Sequence, residues 1–173
     1  MLRRERPLSK KSAGGARMGV QGWISTPASA EYEMDDLYDL QRFVDAQDPV
    51  YAQVCDELRH GRKRSHWMWF VFPQIRGLGS SEMAVRYAIS GREEARAYLD
   101  HAVLGARLRE CAGIVVGVDG RTVGEIFGYP DDLKFHSSMT LFAEVEGSSE
   151  SVFHSALKKY FGGKTDKATL ARL

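Results

Sequence analysis

Two short segments hold most of the side chains that could do chemistry. The first is RKRSHWMWFVFPQ, Arg62 to Gln74, and the second is YPDDLKFHSSMTLF, Tyr129 to Phe142. A histidine held by a carboxylate is the usual arrangement for proton transfer. That makes His66 and Asp132 the candidate acid–base pair, with Asp132 orienting either His66 or His136. Lys63 and Lys134 are compact positive charges suited to an anion, with Arg64 as a further cation. Trp67 and Trp69 could wall a pocket and stack on a flat group, and a buried indole N–H needs an acceptor. Gln74, Ser137 and Ser138 would complete the lining as adaptable donors.

Many of these residues also have a plain structural explanation. A large aromatic contributes about 1.5–3 kcal/mol when buried, so a domain of short helices needs such anchors. Core packing accounts for Met68, Val71 and most of the aromatics. The hydroxyls of Ser137, Ser138 and Thr140 can bond back to carbonyls one turn earlier. Lys63, Arg64, His66 and Gln74 are harder to absorb. A buried charge is costly unless paired, so these groups either reach solvent or line something polar.

Other catalytic templates are missing. The chain has no GxxxxGK[ST] loop, no GxGxxG, no HExxH, no Cys/His cluster and no GxSxG. No metal or cofactor is therefore expected, and any chemistry would be a metal-free hydrolysis or group transfer.

The elements that must position these groups read as helices. DDLYDLQRFVDAQ places Leu37, Leu40, Phe43 and Val44 on one face. In DPVYAQVCDELRHG, Asp48 is a candidate cap, Pro49 a first helical residue and Gly61 a terminator. The basic aromatic segment is expected to be a helix ending near Phe72, because Pro73 cannot continue it. Ser80 or Ser81 precedes another helix, and Ser90 with Glu93 resembles a capping box. HAVLGARLRECAGIVVGV carries helical spacing, although its β-branched end also suits a buried strand. A short helix over Thr122–Phe127 is followed by a longer one from Asp131. Ser148 or Ser149 would cap a helix that Gly162 ends, and TDKATLARL is a last short one. No strand pattern of five or more residues and no internal repeat is present. The expected fold is all-α, with seven to nine short helices stacked as antiparallel pairs in a compact curved array.

Composition limits the possibilities further. The chain has 173 residues, 43% hydrophobic and 27% charged, ordinary values for a soluble globular protein. Its net charge of +1 gives no global field for nucleic acid or an anionic membrane, so a nucleic-acid partner is not expected. No apolar run approaches the roughly 20 residues that a membrane helix needs. The two cysteines, Cys55 and Cys111, lack metal or redox spacing and fit a reducing, cytoplasmic compartment. Residues 1–34 are basic and poor in apolar side chains, and read as a disordered extension ahead of one helical domain over 35–173.

Taken together, DLQRFVDAQ, GRKRSHWMWFVFPQ, LGSS, RYAI, EARAYLDH, LGARLREC, IFGYPDDLKFHSSMTLF and YFGG resemble a bacterial family known as domain of unknown function 1810. The resemblance runs from about Asp36 to the C-terminus. It implies a mainly helical fold of short stacked helices and no known activity. The matching positions are His66, Trp67, Trp69, Phe72, Pro73 and Gln74, then Asp132, Lys134, Ser137, Ser138, Met139, Thr140 and Phe142. Two functions remain in view. One is an aromatic and basic pocket for a small anionic or nucleotide-like ligand, and the other is a helical scaffold for a protein partner.

Overall fold

The computed structural model describes residues 37–173. The basic extension expected over 1–34 lies outside them. Ten helices follow in order: α1 Gln41–Gln47, α2 Tyr51–Arg59, α3 Met68–Val71, α4 Glu82–Arg86, α5 Arg92–Asp100, α6 Leu104–Gly117, α7 Val123–Phe127, α8 Asp131–Glu146, α9 Val152–Phe161 and α10 Lys167–Leu170. Four of these are single turns, which takes the count just past the expected range. Among the described residues there is no strand, only an isolated parallel bridge between Ile75 and Ile89. No helix among them is long and apolar enough to cross a membrane.

The helix ends show why the chain breaks where it does. Thr122 and Glu125 form a reciprocal capping box at α7. Ser81 caps α4, Ser151 caps α9 and Asp166 caps α10, each accepting from backbone N–H groups of the first turn. Gly147 and Gly162 end α8 and α9 in the left-handed conformation. Some expected caps differ. Asp48 closes α1 rather than opening α2, whose N-cap is Val50. Ser151, not Ser148 or Ser149, caps α9. At α5 the N-cap is Gly91, and the acid that reaches back is Glu94, whose Oε2 accepts from Ser90 N at 2.7 Å.

The largest departure concerns Arg62 to Phe72, expected to be helical throughout. Only Met68–Val71 makes a turn of helix. The preceding residues find their hydrogen bonds elsewhere. Lys63 N donates to Ile126 O at 2.7 Å, and Arg64 N and Ser65 N donate to the Glu57 carboxylate. With those donors satisfied outside a helix, the backbone has no need to coil.

Helix α8 lies at the centre. Its buried residues, from Phe135 through Val145, face several directions, as expected of a helix enclosed by neighbours. It packs on α5, α7, α9 and α10, while α6 packs on α2, α5 and α9. An aromatic chain joins the two chemically rich segments. Trp67 meets Phe72 at 6.2 Å, Phe72 meets Phe135 at 5.0 Å, and Phe127 stacks on Phe135 at 4.7 Å between ring centroids. The core therefore places the basic loop against the start of α8.

Candidate functional site

Glu57, on α2, organises the basic loop from beneath. Its carboxylate accepts from Arg64 N at 2.8 Å, Ser65 N at 3.1 Å, Ser65 Oγ at 2.6 Å, Trp67 Nε1 at 2.9 Å and Gln53 Nε2 at 3.0 Å. Burial alone would raise its pKa. The Ser65 hydroxyl, the Trp67 indole and the two backbone amides outweigh that and hold it at about 2. Trp67 is fully buried and its N–H is spent on this carboxylate. Its role is core, and it has no face left for a ligand.

With the loop fixed, two ammonium groups converge on one carboxylate. Lys63 Nζ lies 2.7 Å from Asp131 Oδ2, and Lys134 Nζ lies 2.6 Å from Asp131 Oδ1. Each lysine also sits on an indole, Lys63 at 5.2 Å from the Trp67 centroid and Lys134 at 4.5 Å from that of Trp69. Burial pushes the Asp131 pKa up, but the two lysines more than offset it, leaving the carboxyl below its ordinary range. The Lys63 side chain is 8% exposed and that of Lys134 is 20% exposed, so Lys134 is the more accessible of the two.

Lys134 belongs to a cleft of about 650 Å³ between the start of α8, the Leu78–Ser81 loop and the N-terminus of α10. Trp69, Gln74, His136, Ser137 and Asp166 line it with Lys134, and Leu78, Pro130 and Leu133 add apolar surface. Its floor is tightly bonded. Asp166 Oδ2 accepts from Ser137 Oγ at 2.8 Å, Thr169 Oγ1 at 2.6 Å and Thr169 N at 3.2 Å. Burial opposes the charge on Asp166, yet the Thr169 and Ser137 hydroxyls and the helix amides keep its pKa below the usual value. His136 Nε2 donates to Lys164 O at 2.8 Å, and its ring stacks on Phe161 at 4.0 Å.

Of the residues singled out by sequence, Trp69, Gln74, Lys134 and Ser137 line this cleft, while Lys63 reaches it indirectly through Asp131. The acid–base pair is not assembled. His66 is exposed, and no hydrogen bond or ion pair among the described residues joins it or His136 to Asp132. Asp132 instead accepts from the adjacent Leu133 N at 2.9 Å, so its carboxylate is turned back onto the first turn of α8. Ser138 is fully buried with no hydrogen-bond partner among the described residues for its Oγ, and it does not line the cleft. Thr140 does bond back, to His136 O at 2.9 Å.

The sequence reading missed three carboxylates as organisers. Asp131 stands three residues before Lys134, a helical ion-pair spacing that carries the signal. Asp166 precedes Thr169 by three residues, as a helix cap does. Glu57 leaves no local trace, since its partners other than Gln53 come from a loop seven to ten residues away.

The arrangement is that of a helical domain with a polar, aromatic-walled cleft at a helix junction. The chain belongs to the family described as protein of unknown function DUF1810, which matches residues 37–173. It is also similar to the conserved hypothetical protein Rv1873 from Mycobacterium tuberculosis, whose crystal structure it matches at 61% sequence identity and a TM-score of 0.78. That match covers 80% of this chain and 98% of the other. No curated protein matches the chain.

Proposed function

We propose that the cleft binds a small nucleotide-like ligand, a flat ring carrying a negative group. The observation that carries this reading is the lysine pair on Asp131. It holds the Lys134 ammonium beside Trp69 at the cleft wall, with one N–H spent on Asp131 and two left over. A cation and an indole side by side suit an anionic group attached to a stacking ring. The volume of about 650 Å³ falls within the range of small-molecule sites. The reading is one of binding, because the candidate acid and base are not joined.

Thermal melting against nucleotides, sugar phosphates and nucleosides at fixed salt tests it. A ligand at 100 times its dissociation constant adds about 2.7 kcal/mol and raises Tm by several degrees. Lys134→Ala should remove most of that rise. A panel without any rise, or a rise that Lys134→Ala leaves intact, overturns the proposal.

A second reading, a scaffold for a protein partner, draws on Tyr129 and Leu133. They are 84% and 52% exposed and flank the cleft residue Pro130. On that reading Tyr129→Ser weakens capture of a partner while ligand-induced melting shifts are absent.

A further inference from the structure

Four glutamines fall among the described residues, and three of them are tied down. Gln41 Nε2 donates to Asp45 at 2.8 Å. Gln47 Nε2 donates to Phe70 O and the Tyr98 hydroxyl. Gln53 Nε2 donates to Glu57 and Ser65. Gln74 is different. It is half-buried and lines the cleft, yet its side-chain amide bonds to no described residue. Both the donor and the acceptor of this cleft-lining amide are thus uncommitted to any described residue.

The mounting of Gln74 is rigid. Its carbonyl accepts from Ile89 N at 2.9 Å, and Arg76 N donates to Ile89 O at 2.8 Å, which together form the Ile75–Ile89 bridge. Pro73 fixes the backbone on the other side. Trp69 supplies a second contrast. The Trp67 indole N–H is spent on Glu57, whereas that of Trp69 bonds to no described residue.

The charges around the cleft also restrict the ligand. Lys63 and Lys134 are matched by Asp131 and Asp166, so the formal sum is zero. No arginine lines the cleft. Such a site accommodates one anionic group at Lys134 and has nothing to hold a polyphosphate. Recognition must then come from the ring.

We infer that Gln74 reads the edge of the ligand's ring, pairing its amide with a hydrogen-bond donor beside an acceptor, as in the amino group and neighbouring ring nitrogen of adenine, while the ring lies against Trp69. A side-chain amide offers a donor and an acceptor side by side in one plane, and paired bonds to such an edge are its ordinary mode of base recognition. This deepens the ligand-binding reading and rests on it.

The test is calorimetry with adenosine monophosphate and purine riboside 5′-monophosphate, which lacks the amino group. The wild-type chain should prefer the adenine compound about tenfold, and adding two further phosphates should gain less than threefold. Gln74→Leu should abolish the preference, and Gln74→Met should do the same should the leucine variant melt early. Equal binding of the two compounds by the wild type, or a preference that survives both substitutions, overturns the role of Gln74. Affinity that climbs with each added phosphate overturns it as well, since recognition would then lie with the anion. Absence of binding by every nucleotide and sugar phosphate would instead remove the parent reading.

Discussion

Two carboxylates hold the same loop, and they do it by opposite means. Glu57 sits beneath the Arg62–Trp67 segment and receives only neutral donors: two backbone amides, a hydroxyl, an indole and an amide. Asp131 stands at its flank and receives two ammonium groups. The first arrangement satisfies a buried charge with short-range bonds that form only when the loop is folded one way. The second neutralises charge yet leaves donor capacity on Lys134. Glu57 therefore supports the fold, whereas Asp131 holds the Lys134 ammonium at the cleft wall.

That contrast can be broken experimentally. The largest effect should come from Glu57→Ala, which strands the Trp67 indole and two backbone N–H groups in a buried setting. A loss of about 3–4 kcal/mol is expected from such a network, measured by urea unfolding. Retention of wild-type stability would remove Glu57 from its supporting role.

Acid titration comes next. The folded-state pKa of Glu57, about 2, lies below the ordinary 4.5. A depressed carboxylate stabilises the fold above its unfolded-state value, and that contribution is lost as pH falls toward its folded-state value. Stability should decline by at most about 3 kcal/mol between pH ~4.5 and ~2 from this group. Glu57→Gln should flatten this limb of the stability–pH curve, while an unchanged slope would contradict the assignment.

Asp131→Asn should cost less, about 1–2 kcal/mol, because Lys63 and Lys134 lose their shared anion but retain their indole contacts. The same variant should weaken ligand binding. Lys134→Ala should be the mildest for stability, below about 1 kcal/mol, since Lys63 still pairs with Asp131 and the lost group is partly solvated. It should nevertheless lower ligand affinity at least fivefold. An Asp131 variant milder than the Lys134 variant in urea would reverse the proposed order of dependence.

The fold was readable because its signals are local. The acids at Asp131 and Asp132, the Thr122 cap and the left-handed Gly162 each act within one helical turn, and helices began or ended at those places. Lys134, Gln74 and Ser137 could be nominated because charged, amide or hydroxyl groups sit badly in an apolar segment, and Trp69 because an indole beside cations can stack on a flat group. Their grouping could not be read, since it depends on Phe72, Phe127 and Phe135 packing across distant segments. The loop conformation at Arg62–Trp67 was hidden for the same reason: Glu57 supplies, from another helix, the acceptors that compete with helix formation. Trp67 and Trp69 show the limit best. They are two residues apart and alike in type, yet one is enclosed and the other borders the cleft.

The contact between Ile75 and Ile89 has one more consequence. It pinches residues 76–88 at the neck, so the span bearing Leu78, Ser80, Ser81 and the short α4 is fastened to the body where its two ends meet. Changes at its tip can reshape the entrance without repacking the interior. Substitutions there would change the shape of the cleft mouth while leaving the foundation beneath it in place.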